Sequence, residues 1–312
     1  MAQVLTFTAN PALDVFTHIE RVSPTHKMRC DAPIQHPGGG GVNVARVLHR
    51  FGASVTAVYP SGGVVGERHH RMLHAEGVRS HVVPIAASTR ESFSVHEHAS
   101  GDDFRFVLPG PELRPEEWQA CLTYIETHWP KQFLVLSGGL APGMPDDFYA
   151  RLVRMGHQRQ TPVVLDTNGP ALTLGLQAQG VSLFKPSLRE LRELTGQPLE
   201  NDNQCIAAAR QLIQQGQSHW IAVSLGADGA LLVNADGAWR APALQVTVRT
   251  TIGAGDSFVA GLVWAFMQGH APDLALRWAM ASSAAALLQP GTALCQPADV
   301  LRLLPEVQVQ AL

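Results

Sequence analysis

The chain has 312 residues, 46% of them hydrophobic and 16% charged, which is enough apolar material for one large core. Its 23 Lys+Arg against 26 Asp+Glu leave a net charge of −3, with no concentrated basic patch, so the composition excludes a nucleic-acid partner. No uninterrupted apolar stretch can span a bilayer, the start "MAQVLTFTANPALD" lacks the pattern of a signal peptide, and the four cysteines (Cys30, Cys121, Cys205, Cys295) share no zinc or redox spacing, so the expectation is a reduced, soluble, cytoplasmic protein without a membrane partner.

The first predicted strand is "VLTFTA". Residues 14–36 follow, with strand-like alternation and no crossover helix. "PGGGGVNVAR" (37–46) then places four glycines ahead of the helical pattern "VNVARVLHRFG". The strand "SVTAVYP", a helix carrying His69, His70 and His74, and the strand "HVVPI" come next. Residues 93–107 form a second alternating stretch without a helix. Beyond it lie the helix "PEEWQACLTYIETHW", the strand "FLVLSG", the helix "PDDFYARLVRMGHQR", the strands "PVVLDT" and "SLFKP", the helix "NDNQCIAAARQLIQQG" and the strand "WIAVSL". From 219 the chain reads as two hairpins, with D-G turns at 228–229 and 236–237. A β-branched run, "LQVTVRT", is predicted to be a strand entering the turn "RTTIGAGDSF", which leaves as the apolar helix "FVAGLVWAFMQG".

Most strands are near-continuous apolar runs, the pattern of a parallel sheet buried on both faces. Alternation with helices predicts one doubly wound α/β domain over 1–312, mostly parallel and flanked by helices. The segments 14–36 and 93–107 are expected to build a small inserted β lid. Ligands of open α/β sheets bind beyond the carboxyl ends of the strands, where such a lid would sit.

Two glycine-rich turns carry the chemistry. The first is neither a Walker A loop, which needs a following Lys-Ser/Thr pair, nor a dinucleotide G-x-G-x-x-G, because its sixth position is Asn43. A tight strand-to-helix turn explains it equally well. The second places Asp256 where a helix begins to offer unpaired N–H groups. By itself that acid reads as well as a helix cap.

Both stretches in one chain, in this order, resemble the two signatures of the ribokinase-type (PfkB) carbohydrate kinases. "TANPALD", "SGGLAPG", "LDTNG", "KPSLREL" and "VSLGADGA" agree along nearly the whole chain. "THKMRC", "STRESF", "FRFVLPG" and "GTALC" place it nearest the phosphosugar branch. The resemblance implies a ribokinase-like fold and ATP-dependent phosphorylation of D-fructose 6-phosphate to fructose 1,6-bisphosphate. Tagatose-6-phosphate kinase and 1-phosphofructokinase are the neighbouring readings, and a non-catalytic sugar-phosphate sensor is a different class.

The resemblance also assigns roles. Asp256 would be the general base, with Gly253, Ala254 and Gly255 completing an anion hole at the helix mouth. Asp14, Gly39, Gly40 and Asn43 would hold the sugar, and Lys27, Arg29 and Arg90 its phosphate. Lys185, Ser187, Ser224, Gly226 and Gly229 would hold ATP, and Glu190 would organise Mg²⁺ through water. Carbonyls of Thr250, Ile252, Ala286 and Gly291 would bind K⁺. A homodimer through the lids is implied, Lys27 reaching toward the partner's site.

The sequence departs from the family pattern in places. Ser187 replaces the Asn of an N-x-x-E motif, Gly139 and Ala141 replace the usual Ser and Pro, and Thr250, Gln289 and Ala293 weaken the cation site. The 14 histidines, among them the adjacent His69 and His70 and the alternating His96 and His98, are expected at solvated or interface positions, because nothing in the sequence makes them converge on a metal.

Overall fold

The computed structural model describes residues 2–312. The chain opens with β1 (Val4–Phe7), β2 (Ala12–Ile19), β3 (Ile34–Gly38) and α1 (Gly40–Arg50). It continues through β4 (Val55–Ser61), α2 (Gly63–Ala75), β5 (Ser80–Pro84), β6 (Arg90–Glu97) and β7 (Asp103–Val107). The middle alternates α3 (Pro115–Thr127), β8 (Phe133–Ser137), α4 (Phe148–Gln158), β9 (Val163–Asp166), α5 (Gly169–Gln177), β10 (Val181–Phe184), α6 (Leu188–Thr195) and α7 (Asp202–Gln214). The last part comprises β11 (Ser218–Ser224), β12 (Ala230–Val233), β13 (Ala238–Ala241), α8 (Ala254–Met267), α9 (Pro272–Leu287), α10 (Pro297–Leu303) and β14 (Gln310–Ala311).

Ten strands form the main sheet in the order β14-β13-β12-β11-β10-β9-β8-β1-β4-β5. From β5 to β11 every neighbouring pair is parallel, and β12, β13 and β14 continue antiparallel. Successive side chains of one strand enter two different cores. Val4, Val135 and Val164 pack with α1, α8 and α9 on one face, while Leu5, Leu134, Leu136 and Leu165 pack with α3, α4 and α5 on the other. Burial on both faces is why these strands read as unbroken apolar runs.

The predicted strand over "LQVTVRT" does not form; residues 242–250 are irregular. Sheet-forming residues need a free edge to pair with, and the edge beside β13 is taken by β14, where Trp239 aligns with Ala311. Instead the Arg249 N–H donates to the Leu287 carbonyl at 2.8 Å, which pins this segment against the end of α9. Helix α9 itself is not marked by an amphipathic stripe in the sequence, because its small residues are buried nearly all round.

A second sheet stands apart, in the order β3-β2-β6-β7. Strands β2 and β6 run parallel, with β3 and β7 antiparallel at the edges. Its strands begin at Ala12 and Arg90, earlier than the alternation over 14–36 and 93–107 indicates, and residues 20–33 between β2 and β3 are irregular.

Candidate active site

A cleft of about 460 Å³ opens between the small sheet and the carboxyl ends of β8, β9 and β10. Side chains on one face of the small sheet reach it: Asp14 from β2, Arg90 and Ser92 from β6, Arg105 and Val107 from β7. The floor comes from Gly39, Gly40 and Asn43 at the start of α1, from Ser137, Asp166, Lys185 and Glu190, and from Gly253, Gly255 and Asp256.

The first glycine run is required by close packing. A β-carbon on Gly38 would lie 2.2 Å from the Asp14 carboxylate, and one on Gly40 would lie 2.2 Å from Ser137 Oγ. Gly39 has φ +114°, a backbone open to glycine, and caps α1 without a side chain.

The second turn settles whether Asp256 is a cap. The N-cap of α8 is Gly253, at φ 78°, and no side chain caps this helix. The first helical bond there runs from Ser257 N–H to Gly253 O, so the N–H groups of Ala254, Gly255 and Asp256 have no helical acceptor. The Asp256 carboxylate instead accepts from Asn43 Nδ2 at 2.8 Å. Asn43, expected against sugar hydroxyls, is thus first of all a partner of the acid.

Electrostatics separate this acid from an ordinary surface Asp. Burial and the neighbouring Asp166 push Asp256 up to about 6, against the Asn43 hydrogen bond and the charge of Lys185. Asp14 is pushed up to about 6 as well, by burial, with Arg105, Arg46 and Arg90 opposing. Lys185 Nζ lies 3.2 Å from Asp166 Oδ1. Burial alone would lower this ammonium, but Asp166, Glu190 and Asp256 outweigh it and hold it above the ordinary lysine value. A β-carbon on Gly255 would stand 4.0 Å from Lys185 Nζ, so this cation borders the uncapped mouth of α8.

A second cavity of about 450 Å³ adjoins the first, and Thr251 and Gly255 line both. Val246, Val248, Phe258, Met280 and Leu287 give it apolar walls, with Ser224, Gly226, Gly229 and Ala254 also lining it. The irregular segment that replaces the predicted strand therefore supplies two of these walls. Flat apolar sides beside backbone-rich turns suit a purine nucleotide, whose phosphates would point to Gly255.

Several expected residues lie elsewhere. Lys27 and Arg29 are exposed in the 20–33 loop and line neither cavity of their own chain. Ser187 caps α6: its Oγ accepts from Glu190 N–H at 3.2 Å, while the Glu190 carboxylate accepts from Ser187 N–H at 2.7 Å and from its hydroxyl at 2.9 Å. This S-x-x-E box is a structural motif, and Ser187 itself lines neither cavity. Glu190 still lines the cleft. Among the described residues no group of three or more His, Cys, Asp or Glu is placed to hold a metal ion. A Mg²⁺ carried on nucleotide phosphates, keeping its waters and touching one or two carboxylates, fits Glu190 and Asp166.

Thr250 is fully buried, beside the end of α9 that carries Ala286. The Ala286 carbonyl accepts the Gln289 N–H, and the nearby Thr292 and Ala293 carbonyls accept from Arg46 and Arg50. Contrary to expectation, His69 is neither solvated nor at an interface. It is buried, its Nε2 lies 3.0 Å from the Gly38 carbonyl, and burial pushes it down to about 4.

Asp166, Ser137 and Arg105 also line the cleft, although no motif in the sequence singles them out. Arg105 had a usable signal: in "FRFV" it alternates with Phe104 and Phe106, so it must face away from the latter's exposed side.

Residues 10–299 match the pfkB family of carbohydrate kinases. The chain is 43% identical over 303 residues to the ATP-dependent 6-phosphofructokinase isozyme 2 of Mycobacterium tuberculosis (strain ATCC 25618 / H37Rv), covering 96% of this chain and 88% of that one. It is 32% identical over 323 residues to the 1-phosphofructokinase of Haemophilus influenzae, covering 99% and 98%. Phosphofructokinase-2 from Escherichia coli, solved in complex with substrates and products, matches with a TM-score of 0.94 and 32% identity over 97% of this chain and 99% of that one.

Proposed function

The chain belongs to the pfkB family of carbohydrate kinases, with a ribokinase-like fold, and from that premise we propose that it phosphorylates D-fructose 6-phosphate at its 1-hydroxyl. The products are fructose 1,6-bisphosphate and ADP. One observation carries this reading: the two cavities meet at Gly255, beneath an uncapped helix mouth, with Asp256 on the sugar side.

In the proposed reaction Asp256 accepts the proton of the sugar 1-hydroxyl as that oxygen attacks the γ-phosphorus of ATP. The bond from phosphorus to the β,γ-bridging oxygen breaks, and ADP leaves. A carboxylate held near 6 is ionised at neutral pH yet basic enough to share a proton in the transition state. The N–H groups of Ala254 and Gly255 and the Lys185 ammonium stabilise the transferring phosphoryl group, the dominant requirement in this chemistry. Mg²⁺ bound with the nucleotide would add charge neutralisation there, near Glu190. K⁺ on the Thr250, Ile252, Ala286 and Gly291 carbonyls would be an accessory cation.

At the far end of the sugar, Arg90 and Arg105 would bind the 6-phosphate and Asp14 the sugar hydroxyls. Arg90 is anchored by the carbonyls of Leu108 and Asn10, both at 3.0 Å, while its Nε is buried without a partner and needs an acceptor. The outer face of the small sheet exposes Phe93 and Phe106, whose rings lie 6.3 Å apart. A second copy would cover this apolar face, making the sheet a lid shared by a homodimer and bringing Lys27 and Arg29 within reach of the partner's cleft. Light scattering on a dilution series, run beside activity, tests this. A monomer fully active at every concentration contradicts it.

ADP release measured with fructose 6-phosphate, tagatose 6-phosphate and fructose 1-phosphate tests the function. The highest kcat/KM is expected for fructose 6-phosphate. The relationship to a 1-phosphofructokinase makes preference for fructose 1-phosphate the competing outcome. No ADP with any ketose phosphate would leave a sensor.

A further inference from the structure

The most deeply buried charged side chain among the described residues stands behind Asn43, the partner of the acid. Arg46 is 1% exposed, and its Nε and Nη2 are taken up by the Glu76 carboxylate at 2.7–3.0 Å. Glu76 is also held by Arg50 Nη2 at 2.9 Å, so this carboxylate has two cationic partners. The remaining nitrogen of Arg46, Nη1, points toward the site. It donates to Thr292 O at 2.9 Å, Pro37 O at 3.1 Å and Asn43 Oδ1 at 3.3 Å. Residues 43 and 46 are one helical step apart on α1 and share a face, which allows the last contact.

An asparagine amide can sit in either of two orientations related by a flip. With Oδ1 toward the guanidinium, Nδ2 is left to donate to Asp256 Oδ2 at 2.8 Å. The flipped amide would set its NH₂ against a cation and its oxygen against a carboxylate, two repulsive contacts in a half-buried site. We infer that Arg46 is a positioning residue for the general base: it fixes the orientation of the Asn43 amide, and Asn43 in turn fixes the carboxylate of Asp256. This deepens the proposed kinase reading and rests on it for the word "base"; the geometry it describes does not.

Only a planar, permanently charged fork can hold Glu76 with two nitrogens and address Asn43 with the third. Without it the amide is free to rotate, and Asp256 loses a hydrogen bond that favours its ionised form. The charged groups facing Asp256 are Asp166 at the end of β9, Lys185 beyond β10 and Asp14 on β2. With Asn43 loosened, the two carboxylates among them disfavour ionisation with only Lys185 opposing.

Arg46→Met tests this, because Glu76 keeps Arg50 as a partner and the methionine fills much of the same space. We expect kcat with fructose 6-phosphate and ATP to fall about ten-fold, the scale of one oriented hydrogen bond, with both KM values within about two-fold. The acid limb of the kcat profile should move to higher pH. In an Asn43→Ala background the same change should have no further effect on kcat. An unchanged kcat, a loss confined to KM, or a loss that multiplies in the Asn43→Ala background overturns the inference. Should Arg46→Met fail to fold, Arg46→Lys, which keeps a cation for Glu76 but not the fork, runs the same cycle with the same expectations. A carboxyl ¹³C titration of Asp256 in the substrate-free protein, assigned with Asp256→Asn, supplies a readout independent of activity. There the inference requires a higher midpoint in the Arg46 variant, and an unmoved midpoint overturns it even if the wild type phosphorylates none of the sugars.

Discussion

Asp256→Asn should make the protein more stable while disabling it. The carboxyl rises from an ordinary 3.8 to about 6 in the folded chain, mainly through burial and the neighbouring Asp166. At 1.36 kcal/mol per pH unit this is about 3 kcal/mol of destabilisation from ionised Asp256, reduced to about 1–2 kcal/mol because the group faces an open cleft. Asparagine keeps the shape and can still accept from Asn43. With an unfolding entropy of about 2.1 cal/mol/K per residue, the gain corresponds to about 2–3 °C in Tm. The sign follows from linkage. A folded pKa above the unfolded one means the native state binds the extra proton, so the penalty is absent below 3.8, grows between 3.8 and about 6, and is complete above it. Calorimetry of both proteins from pH 4 to 8 should therefore show a gap in Tm that is full near pH 7–8 and closes toward pH 4. A variant no more stable than wild type at pH 8 would refute the claim that Asp256 is held against its ionisation.

Three further outcomes follow from the same geometry. Because Asp256 and Asp14 both titrate near 6, kcat/KM should fall as pH drops through that value, with a slope steeper than one proton; a flat profile down to pH 4.5 contradicts it. Arg90→Ala should raise KM for the sugar phosphate about ten- to a hundred-fold and leave kcat within a few-fold, since the contact is made in ground and transition states alike; steady-state kinetics decide this. Gly40→Ala places a β-carbon 2.2 Å from Ser137 Oγ, in the floor that also carries Asp166. It should lower stability by about 1–3 kcal/mol and kcat/KM at least ten-fold, read by denaturant unfolding and kinetics.

The parallel core was legible because burial on both faces leaves unbroken apolar runs. The small second sheet was legible in part because its segments alternate without crossover helices, though its strands start earlier than the alternation and residues 20–33 are irregular. Glycine carries much of the site's signal, since Gly39 and Gly253 adopt backbones that few other residues accept. What the sequence hides is pairing across distance. Lys185 and Asp166 come from neighbouring strands, and Asn43 meets Asp256 across 213 positions, so no local pattern announces either contact. The missing strand at 244–250 shows the limit of β-propensity, which identifies residues suited to a sheet but not whether an edge is free. Ser187 and Glu190 show the converse: their S-x-x-E spacing alone marks a capping box, a local signal that needs no distant partner.

The most direct test of the account is kcat for ADP release from ATP and fructose 6-phosphate, wild type against Asp256→Asn, with both KM values measured alongside. General-base loss predicts a fall in kcat of about 10²–10⁴-fold, with KM values little changed and the variant folded. A folded Asp256→Asn enzyme turning over at near wild-type kcat would contradict the assignment of Asp256 as the base.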